Sequence, residues 1–160
     1  MPELNLLNLR LHASLRYSGM ENPPFVGLGR PGDPWAALGL PAEGKEELFV
    51  FEAEDLVVFD PDEGPRAARP LPAPRFHGRG LALGEKAEGA ETEYALPKGE
   101  YLFMQWRPAD EEGLLAGIEF FAREAWWEGA KATGPYLIRR VLEDGKTATQ
   151  LLRSCSPAQS

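Results

Sequence analysis

A single cysteine, Cys155, in 160 residues leaves no internal disulfide and no thiolate cluster for zinc. Histidine is almost as scarce. His12 and His77 stand far apart, without an H-E-x-x-H or H-x-H spacing, so no metal site is expected. His77, on or beside a predicted strand, reads as a hydrogen-bonded structural imidazole. No serine sits in a G-x-S-x-G elbow, and neither G-x-G-x-x-G nor G-x-x-x-x-G-K-[ST] occurs. Gly27-Leu28-Gly29 runs into Arg30-Pro31, which blocks the helix start that phosphate binding needs. No cofactor is expected. Apolar runs stay far short of the ~18 residues of a membrane helix, and the first residues lack the pattern of a secretory signal. A soluble, cytoplasmic protein is the expectation. Basic residues are also short: 17 Lys and Arg against 25 Asp and Glu give −8, which argues against nucleic acid as a partner.

What is abundant is turn formers and aromatics. Fifteen prolines and 17 glycines favour short strands over a helical bundle, and 43% hydrophobic residues supply a real core. The length fits a single domain, with an N-terminal half over about 1–75 and a C-terminal half over about 76–155. Residues 4–17 alternate in leucine at first, a pattern of an extended strand or a short helix, with the strand favoured. Asn22 to Pro41 is a proline- and glycine-rich loop whose Trp35 and Phe25 need cover. Leu48–Phe51 and Leu56–Phe59 predict a hairpin, both runs burying something, within an acidic stretch read as solvated surface. Residues 61–75, with five prolines, predict an extended connector, and Phe76–Leu83 a strand.

The last third is more regular. Tyr94–Leu96 and Tyr101–Trp106 predict strands, the second interior because its residues are apolar on both faces. A helix follows from Asp110 to about Glu128, stopping at Gly129; then Tyr136–Leu142 and Thr147–Arg153 pair across Asp144-Gly145. The fold class is therefore α+β, a mainly antiparallel sheet with one principal helix across it.

On that helix Leu114, Leu115, Ile118, Phe121, Ala122, Ala125 and Trp126 form the core stripe. Phe120, Glu124 and Trp127 fall on the other side, an unusual place for two large aromatics. Their cover is the N-terminal loop, a second subunit, or a ligand whose cation meets Glu124 between two rings. Candidate ligand-binding residues are Trp35, Phe103, Trp106, Phe120, Glu124 and Trp127, the aromatic supply an apolar pocket requires. No catalytic residue is assigned. Carboxylate pairs such as Glu119/Glu124 or Glu111/Glu112 keep a hydrolase as a third reading, although spacing alone does not make them converge.

The block ALPKGEYLFMQWRP, then the helix, GPYLIRRVL and TATQLLRS resembles one βαββ repeat of the gyrase-inhibitor-like (GyrI-like) effector-binding family. Pro97, Gly99, Tyr101, Trp126 or Trp127, Gly134 and Pro135 stand where its motif places them. The resemblance implies a non-enzymatic domain that binds small amphipathic, often cationic, molecules in a cleft between paired units. Here Arg139 and Arg140 occupy the strand where the family commonly carries a ligand-facing Glu, so the ligand's charge stays open. The first half shows no legible second copy. The alternative function is a protein-interaction module or homodimer using the outward aromatic helix face and the acidic segment.

Overall fold

The computed structural model describes residues 5–22, 46–69, 71–82, 84–86, 89, 91–108, 111–143 and 146–155. Eight strands form one antiparallel sheet: β1 (Leu7–Leu11), β2 (Leu15–Glu21), β3 (Glu46–Phe51), β6 (Phe76–Gly80), β7 (Thr92–Leu96), β8 (Gly99–Trp106), β9 (Ala132–Glu143) and β10 (Lys146–Cys155). Their order is β1-β8-β10-β9-β3-β6-β2-β7. A single helical turn, α1 (Ala53–Leu56), leads to a separate ribbon of β4 (Val57–Asp60) and β5 (Gly64–Ala67). The principal helix, α2 (Glu111–Trp127), packs across the sheet, giving the α+β class expected from sequence.

The order reads the same from both edges. One half runs β8, α2, β9, β10 with β10 seated between β8 and β9; the other has β6 seated between β2 and β3. The halves meet where β3 pairs with β9, from Glu46↔Val141 to Phe51↔Tyr136. A repeated strand order therefore exists that the amino-acid pattern did not disclose.

Two cores lie on opposite faces. Under α2, Phe49, Phe51, Met104, Ile138 and Leu151 meet Leu114, Leu115, Ile118 and Phe121. On the other face Tyr17, Leu48, Leu96, Leu137 and Leu152 form a second cluster, built among the described residues from strands alone.

Several elements differ from expectation. The predicted 48–59 hairpin does not form. Leu48–Phe51 is buried on both faces, which fits a central strand, so β3 pairs with β6 and β9, while α1 turns the chain out of the sheet. Val58 and Phe59 consequently stay exposed. The proline-rich 61–75 connector contains β5. Asp60 accepts backbone hydrogen bonds from Asp62 and Glu63, and Gly64 at φ +88° closes the turn. Pro65 is tolerated because a two-stranded ribbon has free edges. The single strand expected over 4–17 is two, broken at His12–Ser14. The strand expected over 76–83 ends at Gly80, and β9 begins at Ala132 rather than Tyr136. Helix α2 stops at Trp127, and Gly129 takes φ +66°. No helix of the described residues is long and apolar enough to cross a membrane.

Candidate ligand pocket

Register places a polar row across the α2-facing side of the sheet. Ser18 pairs with Arg79, Arg79 with Glu47, Glu47 with Arg140, and Arg140 with Thr149. The next row on that face is Met20, His77, Phe49 and Ile138. At the β2–β6–β3 end these rows border a pocket of about 640 Å³, lined by Ser18, Met20, Glu47, His77, Arg79 and Glu91 among others. Its floor depends on two glycines. Gly19 pairs with Gly78, and a Cβ on Gly19 would come within 2.0 Å of the His77 carbonyl. No larger residue fits there.

Burial sets the charges. Glu47 is pushed up to about 7 by desolvation, against the pull of the buried Arg140. Its Oε2 is buried and has no hydrogen-bond partner among the described residues. His77 is half-buried, stacked on Phe49 at 4.8 Å, and desolvation pushes it down to about 4, so its imidazole is neutral near pH 7. Ser18 donates its hydroxyl to Glu91 at 2.8 Å, and Arg79 pairs with Glu85 at 3.0 Å. The arrangement lines the pocket with the Glu47 and Glu91 carboxylates and the Ser18 hydroxyl. What it can do is hold a polar head at Glu47 beside the apolar surface of Met20 and the His77 ring.

The residues singled out from sequence do not gather into one place. Trp35 lies outside the described residues. Phe103 and Trp106 point to opposite faces of β8: Phe103 packs on the strand-only cluster, and Trp106 is 7% exposed under α2, donating its indole N–H to the Gly113 carbonyl at 3.2 Å. Phe120 packs at the edge of the α2 core. Glu124 is half-buried, and Trp127 is 74% exposed, edge-on to Trp126. Arg139 lies on the strand-only face, where it donates to Tyr17, Gln150 and Glu46.

The sequence marks His77 as a structural imidazole and Glu47 as one of a run of solvated acids, and neither pattern by itself points to a pocket. Yet Glu47 alternates with Phe49 and Phe51, both buried, and an acid in phase with inward aromatics is a legible signal. No family model matches the chain, and no curated protein matches it.

Proposed function

We propose that this chain is a non-enzymatic binding domain for a small amphipathic molecule, held in the pocket between β2, β3 and β6. The observation that carries the reading is the buried Glu47 Oε2, which has no hydrogen-bond partner among the described residues, at the wall of a cavity of about 640 Å³. An unsatisfied buried acceptor costs about 1–3 kcal/mol, and a ligand donating a hydrogen bond recovers it. The ligand class follows from the lining. An amine, amidine or hydroxyl group meets Glu47, and an apolar body lies along Met20 and the His77–Phe49 stack. The resemblance to the gyrase-inhibitor-like family points to the same class of ligand, and the repeated strand order is consistent with the paired units of that family.

A thermal-shift and calorimetric screen of aromatic amphipaths bearing amine, guanidine, hydroxyl or carboxylate heads tests the reading. Donor-bearing probes at about 100 times their Kd are expected to stabilise the fold by about 2.7 kcal/mol and to be recovered unchanged. Glu47→Gln is expected to weaken the best amine-bearing probe about tenfold or more, the cost of losing a charge-assisted hydrogen bond. A Glu47→Gln protein that binds every probe as the parent does removes the pocket from consideration.

A further inference from the structure

We infer that the exposed aromatic patch of Phe59, Trp126 and Trp127 is a docking surface for a basic, amphipathic segment of another protein, separate from the pocket. Phe59 is 61% exposed, Trp126 48% and Trp127 74%. They come from two elements, the β4–β5 ribbon and the last turn of α2, and touch edge to face: Phe59–Trp126 at 5.7 Å, Trp126–Trp127 at 5.2 Å. Solvent is a poor neighbour for that much contiguous aromatic surface, and such patches mark interaction sites. Tryptophan also dominates the energetic centres of interfaces.

The two elements that carry the patch are fastened to each other before any partner arrives. Arg123 donates to the Pro65 carbonyl at 3.0 Å, and Glu119 accepts the Ala67 backbone N–H at 3.1 Å, fastening the ribbon to α2. The Trp126 ring lies over Gly64, where a Cβ would meet it at 3.0 Å. Binding therefore orders little that is not already ordered.

Charge selects the occupant. Asp60 follows Phe59 directly, and backbone hydrogen bonds from Asp62 and Glu63 hold its carboxyl below the usual range, so it stays anionic. Glu124 and Glu128 flank Trp126 and Trp127 in sequence, and neither they nor Asp62 make an ion pair among the described residues; Lys131 is the base that follows them. The nearby Arg66 and Arg123 are taken up by Glu63 and Glu119. A second copy would set this acidic rim against itself, and an anionic membrane or nucleic acid would be repelled likewise. Arginine or lysine beside apolar side chains fits both features, with the cation over an indole face and its charge against the rim.

Two synthetic helical peptides test this. They share leucine positions and carry arginine in one and glutamate in the other at the remaining sites; binding is read by tryptophan fluorescence and calorimetry. The arginine peptide is expected to bind and to weaken as salt is raised. Trp127→Ala, at an exposed site that leaves the far-ultraviolet circular dichroism unchanged, is expected to lose affinity about tenfold or more. Glu124→Lys with Glu128→Lys is expected to weaken it as well, whereas Glu47→Gln leaves it unaltered. Equal binding of the two peptides, or parent-like binding by Trp127→Ala, overturns the proposal. So does a parent dimer, seen by light scattering, that Trp127→Ala dissolves, or attachment to anionic vesicles that Trp127→Ala abolishes.

Discussion

Glu47 and His77 face one pocket with opposite perturbations, and the two work against each other in the dependence of stability on pH. Glu47 titrates higher in the fold than in the open chain, so its stabilising contribution is complete below about 4.5 and disappears as pH rises through about 7. His77 titrates lower in the fold; its contribution is complete above about 6.5 and disappears as pH falls through about 4. Each gap corresponds to at most about 3 kcal/mol, and because both side chains keep some contact with solvent, about 1–2 kcal/mol is expected from each. Between pH 4.5 and 6.5 the two nearly cancel. Substitution separates them. In urea titrations at stepped pH, Glu47→Gln is expected to gain stability from about pH 4 to 6.5, and His77→Gln to lose it from about pH 4.5 to 7. Two variants that both track the parent would show that neither group is perturbed. Nothing in the residue types alone disclosed this pair, because His77 and Glu47 are 30 positions apart and meet only through the β3–β6 register.

At the scale of elements, the helix and the C-terminal hairpin were legible because local signals agreed: an apolar stripe of helical period, a stop at Gly129, and two strand-forming runs flanking Asp144-Gly145 in sequence; the stripe's last member, Trp126, is 48% exposed, and Phe120, expected on the other side, packs on the core. The ribbon was not legible. Its strands are short, one contains Pro65, and their pairing depends on the Asp60 side chain and on α2. The docking of α2 rests on a feature that helix propensity disfavours. Gly117 lies against the Trp106 indole, where a Cβ would come within 2.3 Å of the ring. Alanine there improves propensity by up to ~1 kcal/mol, yet forces Trp106 off the hydrogen bond to Gly113. Gly117→Ala is thus expected to lose about 1–3 kcal/mol in chemical denaturation. A Gly117→Ala protein as stable as the parent would rule out this close approach.

For the whole molecule, the sheet is one object although its order repeats. Sequence could not show the repetition, since the two halves reach the same order with unlike residues and the first inserts α1, β4 and β5 between its second and third strands. Both cores cross the seam. Phe49 and Phe51 of β3 pack with Tyr136, Ile138 and Leu151 on one face; Leu48 and Val50 pack with Leu137 and Leu152 on the other. Each core, then, is completed only by side chains from both halves, and unfolding should be a single cooperative event. In a Trp35→Phe background the remaining tryptophans, Trp106, Trp126 and Trp127, all lie in the C-terminal half, so their emission reports that half while far-ultraviolet circular dichroism reports the whole sheet. The two urea transitions are expected to coincide. Leu48→Ala, a fully buried site in the N-terminal half, is expected to lower both by the same amount, about 2–5 kcal/mol. Were the halves independent, the substitution would split the circular dichroism transition and leave the tryptophan transition where it was.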